Sequence, residues 1–203
     1  MTARRQGVVQ GHSDQAAADH HYPQPPRPDP LPLRALRSGT LASVLSTVAV
    51  SIFSRRHCGA VAAGTNSASQ WFWYPRARHV GRPSLVYTLA GYAIHHASSL
   101  LWSSVYEATR PQQAPASGRI ARAAGVSVLA YVVDYHVVPR RLSPGFEHRI
   151  GAAGMWAAYT AFGVGLLLAT RIAARPASRR TALTGPVRPR PAGRARAARS
   201  QGR

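Results

Sequence analysis

The feature that most constrains the fold is an uncharged stretch near the middle of the chain. Residues 84–105 contain no Lys, Arg, Asp or Glu in 22 consecutive positions. As an α-helix rising 1.5 Å per residue, this stretch is about 33 Å long, and a hydrocarbon core is about 30 Å thick. We therefore expect a membrane-spanning helix here, with the remaining helices packed around it.

The distribution of charge supports the same class of protein. The chain has 203 residues and a formal net charge of +20, and its 26 basic residues are all Arg. Ten of them lie in 171–203, so cationic blocks are separated from apolar blocks, which is typical of membrane proteins. The lone cysteine, Cys58, excludes an intrachain disulfide bond and a four-cysteine metal site.

Four apolar segments predict an all-α fold, a four-helix transmembrane bundle. The spans are expected at about 38–54, 84–106, 122–138 and 150–172. The first, with 17 residues, is at the short end of what can cross a bilayer. Pro139 ends the third, because proline disfavours helical backbone at the residue before it.

The two tails, 1–37 and 173–203, are predicted to be disordered and cytoplasmic. The first is Pro-rich and the second Arg-rich, and neither has an apolar period. Four spans place both termini on the same side of the membrane. Twelve arginines lie near the membrane on that side and eight on the other, so the side with the termini is expected to be cytoplasmic. We expect the C-terminal tail to contact anionic lipid headgroups. Nucleic acid is a less favoured partner because no aromatic residues are interleaved with the arginines.

The connection 55–83 contains four successive aromatic residues, 71–74, preceded by a segment of small residues, 59–70. Trp and Tyr favour the headgroup layer of a bilayer. Two interpretations of the small-residue segment stay open: an interfacial helix, or a re-entrant segment buried against protein. We favour the interfacial helix.

Ionisable groups inside a span are costly, and they mark candidate functional sites. On the 84–106 helix, side chains at steps of three and four form a polar and aromatic stripe of Thr88, Tyr92, His95, Ser99, Trp102 and Tyr106. The candidate intramembrane polar site comprises Tyr92, His95, His96, Ser99, Asp134 and His136. If the second span begins and the third span ends at the same membrane face, the helical rise places His95 about 16 Å and Asp134 about 7 Å below that face. Asp134 is therefore expected to meet Thr88, Tyr92 or Arg141 rather than His95.

Three interpretations of these residues are open. The first is a non-catalytic membrane component in which histidines and hydroxyls hydrogen-bond between helices. The second is a small proton-linked transporter or channel that uses the His/Asp stripe. The third, an enzyme or metalloprotein, is disfavoured because the adjacent His95 and His96 diverge around their helix, as do Asp134 and His136. We predict no catalytic residue, no metal and no cofactor, and a homo-oligomer or a membrane partner remains open.

Several segments resemble a known group of proteins. The segments 89–102, 106–107 and 133–147 resemble small, uncharacterised inner-membrane proteins of proteobacteria. The segment 66–73 is similar as well, with Gln70 where that group is expected to have His. The resemblance covers about 38–170 and omits both tails. It implies a bacterial inner-membrane location, and it implies no activity.

Overall fold

The computed structural model describes residues 29–109, 111 and 114–173 of the chain. Within these ranges the secondary structure is helical and contains no β-strand, which confirms the all-α prediction. Most of each predicted tail, 1–28 and 174–203, lies outside the described residues.

The described residues form four long α-helices and two short ones. They are α1 Leu31–Cys58, α2 Ala63–Ala68, α3 Gln70–Trp73, α4 Leu85–Ala108, α5 Ala116–Val132 and α6 Glu147–Ala173. A 3-10 turn, Arg76–His79, precedes α4, and a π-helical turn, Val133–Val137, continues α5.

The long helices alternate in direction, so the bundle has two ends. At what we call the Arg34 end, Arg34 on α1 lies 4.0 Å from Glu107 on α4, and Arg122 on α5 donates to the Thr109 carbonyl. At the opposite end, which we call the Arg149 end, Arg149 on α6 donates to the Arg78 carbonyl. The short helices α2 and α3 and all the connections that precede α4 and α6 lie at this second end.

Local chemistry explains where the helices begin and end. Helix α1 begins at Leu31, inside the segment assigned to the N-terminal tail, because Pro32 occupies its first turn, where no backbone N–H is needed. It ends at Cys58, and the Gly59 that follows has a φ of 73°, a left-handed conformation that glycine adopts without strain. Helix α4 begins after Ser84, whose side chain accepts from the Tyr87 N–H.

The central helix of the bundle is α1, which packs along both α6 and α4. The expectation that the other helices surround the 84–105 stretch is therefore wrong. Small residues allow the close approach: a Cβ added at Gly165 of α6 would lie 2.4 Å from Ala42 Cα, and one added at Gly39 would lie 3.1 Å from Leu100 Cα. Such contacts between small residues are typical of helix pairs in membranes.

By length and composition, two of the described helices are able to cross a membrane: Leu31–Cys58 and Glu147–Ile172. Helix α4 is long enough, with 24 residues, but its Ser, His and Tyr residues lower its hydropathy. Helix α5 has only 17 residues before the π-helical turn. The four-span architecture therefore stays a prediction.

The long helices bury small polar side chains and expose large aliphatic ones. Buried serines and a threonine include Ser38, Ser43, Ser46, Ser54, Ser99, Ser103, Ser127 and Thr170. Exposed aliphatic residues include Leu36, Val44, Val48, Ile52, Leu85, Val86, Leu89, Leu101, Ile120, Val128, Leu129, Val164, Leu168 and Ile172. The interior also holds large apolar side chains, among them Val50, Ile150 and Leu166. So many buried hydroxyls beneath exposed aliphatic side chains are nevertheless unusual for a protein surrounded by water.

The segment from Ala62 to Gln70 is buried against the long helices, so the favoured interpretation, an interfacial helix, is wrong. Two fully buried amides hold this segment in place. The Asn66 Nδ2 donates to the carbonyls of Val80 (2.9 Å) and Arg82 (3.0 Å). The Gln70 Nε2 donates to the Arg140 carbonyl (3.1 Å). Because α2 consists of small residues, it fits between helices where larger side chains would not, and the aromatic residues after it remain partly exposed.

Candidate functional site

His95 is held between α4, α1 and the segment that precedes α6. It lies on α4, and its Nε2 is 2.9 Å from the Ser46 hydroxyl on α1. The ring of Phe146, just before α6, packs edge-on against the imidazole at a centroid distance of 5.6 Å. The Ser46 hydroxyl also donates to the Ala42 carbonyl (2.8 Å).

Asp134 lies in the π-helical turn that follows α5. Its Oδ2 accepts a hydrogen bond from the Tyr159 hydroxyl on α6 at 2.7 Å. None of the three expected partners, Thr88, Tyr92 and Arg141, makes this contact. Thr88 instead donates to Asn66 Oδ1 (2.6 Å). π-Helical turns are rare and occur frequently at functional sites, because they move side chains out of the regular helical register.

One cavity brings His95 and Asp134 together, although they do not pair directly. Its volume is about 160 Å³, and its polar lining consists of Ser46, His95, Ser98, Ser99, Asp134 and Tyr159. At about 30 Å³ per molecule, this is room for about five waters. Aromatic and aliphatic residues, among them Trp102, Phe146 and Phe162, form most of the remaining wall.

The other candidate residues lie away from this cavity. Tyr92 and His96 stack on each other at a centroid distance of 5.8 Å, one helical turn apart on α4. His136 is exposed, and its ring packs against Tyr131 at 5.6 Å. Of the six predicted site residues, the cavity is thus lined by His95, Ser99 and Asp134. Among the described residues, no group of three or more His, Cys, Asp or Glu side chains is placed to hold a metal ion.

Three polar cavity residues, Ser46, Ser98 and Tyr159, were not among the predicted site residues. Ser46 belongs to a series of buried serines on α1, Ser43, Ser46 and Ser54, and this helical spacing is visible in the sequence. Nothing in the sequence distinguishes Tyr159 from the other tyrosines, because its role depends on the register of α6 against α5.

The floor of the cavity at the Arg149 end is built by α2, α3 and the loop before α6. Ala68 and Trp71 line it from one side, and Leu142 and Pro144 line it from the other. The Trp71 indole Nε1 donates to the Leu142 carbonyl at 2.7 Å. These residues form the wall of the cavity at that end of the bundle.

Comparison with protein-family models, curated proteins and solved structures finds no match for this chain. The resemblance to proteobacterial inner-membrane proteins therefore stays a prediction. What can be said of function rests on the fold and on the cavity.

Proposed function

We propose that this chain is an integral membrane protein of the bacterial inner membrane that crosses the bilayer four times and has a non-catalytic role. The observation that carries the proposal is the distribution of side chains, with many hydroxyl groups buried between the long helices and many more leucine, valine and isoleucine side chains exposed than buried. In water, burying hydroxyls while exposing aliphatic side chains forfeits about 25 cal/mol for each Å² of apolar surface left exposed. In a bilayer the same distribution is favourable, because lipid solvates the aliphatic side chains.

The positions of the arginines agree with the thickness of a bilayer. On α1, residues 38–54 separate Arg37 from Arg55 and span about 26 Å as a helix. On α6, Arg149 precedes the non-helical Gly151, and the uninterrupted, uncharged helix from Ala152 to Thr170, which ends before Arg171, is about 28 Å long by the same measure. Both distances are close to the hydrocarbon thickness of about 30 Å. The proposal places both termini in the cytoplasm, where the C-terminal arginines contact anionic headgroups.

The contacts of the cavity residues support a non-catalytic role. Ser46, His95 and Asp134 are the residue types of a hydrolase triad, and Ser46 is within hydrogen-bond distance of His95. Two contacts argue against this chemistry. The Ser46 hydroxyl donates to its own helix, and Asp134 is engaged by Tyr159 instead of orienting the imidazole. The arrangement is that of polar groups satisfying one another between helices.

The first test is extraction from membranes. The full chain is expressed with a tag, the membrane fraction is washed with alkaline carbonate, and the pellet and supernatant are compared with a known integral and a known peripheral protein. We expect the chain to remain in the pellet with the integral marker. Release into the supernatant would contradict the proposal.

A second candidate function is a proton pathway, favoured by the one observation that His95 and Asp134 line the same cavity. Both residue types exchange protons, and intramembrane His and Asp residues occur in proton relays. The test is proton flux into liposomes containing the purified chain, with wild type compared with His95→Ala and Asp134→Asn. Flux that disappears in both variants while each remains folded supports a pathway. Wild-type flux equal to that of empty liposomes excludes it.

A further inference from the structure

A second hollow in the molecule is a groove on the outer surface of the bundle, between α5 and α6. Its volume is about 820 Å³, and it extends from Ile120 and Leu167 toward the Arg34 end to Tyr135 and Glu147 at the Arg149 end. Fifteen residues separate Ile120 from Tyr135, which corresponds to about 22 Å along the helix. The floor consists of small side chains, among them Ala124, Ser127 and Gly163.

The groove is apolar along its length and polar at one end. At the Arg149 end, Glu147 Oε2 has no hydrogen-bond partner among the described residues, while Oε1 lies 3.1 Å from His148 Nε2. The buried Tyr135 hydroxyl likewise has no hydrogen-bond partner in the described part of the chain. A carboxylate oxygen without a donor and a hydroxyl without an acceptor therefore belong to residues that line the same end of the groove.

We infer that this groove binds one phospholipid with a primary ammonium headgroup, with an acyl chain lying between α5 and α6. The inference rests on the proposed membrane location, because only there does a groove on this surface open into lipid. One leaflet is about 15 Å deep, half of the hydrocarbon core, so a groove of about 22 Å accommodates one chain and the start of a headgroup. The Glu147 side chain is one-third exposed and lines the groove at its Arg149 end.

The headgroup chemistry follows from the two unpaired atoms. A primary ammonium donates to Glu147 Oε2, and a phosphate or ester oxygen of the same lipid accepts from the Tyr135 hydroxyl. A quaternary ammonium has no N–H and leaves Oε2 without a donor. An anionic headgroup without nitrogen places negative charge near the carboxylate. Glu147 therefore selects among headgroups, while the groove itself binds the acyl chain.

The experiment is native mass spectrometry of the purified full chain. The protein in detergent is mixed with phosphatidylethanolamine, phosphatidylcholine or phosphatidylglycerol of identical acyl chains, and the lipid that remains bound after the detergent is removed is identified. We expect one bound phosphatidylethanolamine, preferred over phosphatidylcholine by about tenfold, a ratio that corresponds to 1.4 kcal/mol. Glu147→Gln should remove this preference without preventing binding. Ala124→Phe, which fills the groove, should abolish the retained lipid. Ala121→Phe, on an exposed position outside the groove, serves as the matched control and should retain it.

Three results would overturn the inference: equal retention of the ethanolamine and choline lipids by wild type, a preference for phosphatidylglycerol, or undiminished binding by Ala124→Phe. A preference for phosphatidylglycerol would assign lipid binding to the arginines instead of the groove. Carbonate extraction of the same wild-type protein separates this failure from failure of the proposed function. A chain that stays in the membrane yet shows no selective lipid contradicts only the groove, whereas a chain released by carbonate contradicts both.

Discussion

The closest approach between long helices, where α6 crosses α1 at Gly165, makes a direct test of the packing. A methyl group added there would lie 2.4 Å from Ala42 Cα and 2.7 Å from Ala42 N. Carbon atoms pack at about 3.5–4.0 Å, so the helices must separate by about 1 Å to admit one methyl. Both contacting atoms belong to the backbone, so no side-chain rotation relieves the clash.

We expect Gly165→Ala to lower the free energy of unfolding by about 3 kcal/mol, the upper part of the usual range for an overpacked core. The matched control is Gly125→Ala on α5, where an added Cβ meets no atom within 4 Å. The control should be neutral or stabilised by up to about 1 kcal/mol, since Ala favours helix over Gly. The assay is equilibrium unfolding of the purified chain in mixed micelles. If Gly165→Ala unfolds at the same point as wild type, the contact between α1 and α6 is not as described.

Three further predictions concern the polar contacts. Gln70→Ala leaves carbonyls of the loop 139–146 without a donor. It should therefore destabilise the fold by about 1–3 kcal/mol and speed proteolysis within that loop. Cleavage of the loop at the wild-type rate would contradict this. A double-mutant cycle of Tyr159→Phe and Asp134→Asn, measured by unfolding, should give a coupling energy of about 0.6–1.7 kcal/mol. Additive effects of the two substitutions would mean that the side chains do not interact. Serine-directed fluorophosphonate probes should leave Ser46 unlabelled, and covalent labelling found there by peptide mass spectrometry would contradict a non-catalytic role.

Helices with clear local signals were predictable from the sequence. The prediction 84–106 is close to the observed Leu85–Ala108, because Ser84 supplies an N-cap after Pro83. The predicted start of the third helix at 122 is later than the observed Ala116, although Pro115 immediately precedes that helix. In both α1 and α5, prolines at or before the first turn mark the beginning of the helix.

The candidate site was predictable only in part. His95 and Asp134 stand out because they are ionisable residues in apolar segments, and the structure brings them to one cavity. Their hydrogen-bond partners, Ser46 and Tyr159, depend on the rotation of α1 and α6 about their axes, which helical periodicity does not determine. The burial of the segment from Ala62 to Gln70 was missed because small residues give no periodic signal, while the aromatic residues after it suggested a membrane interface.

The central claim, a four-span bundle with its two ends on opposite sides of the membrane, is tested most directly by labelling single cysteines. Cys58→Ser removes the native thiol, and His79→Cys or Ser117→Cys then adds one at an exposed position of the Arg149 end or the Arg34 end. In intact spheroplasts, a membrane-impermeant maleimide should label the cysteine at 79, whereas the one at 117 should react only after permeabilisation. Equal labelling of both positions before permeabilisation would contradict the account.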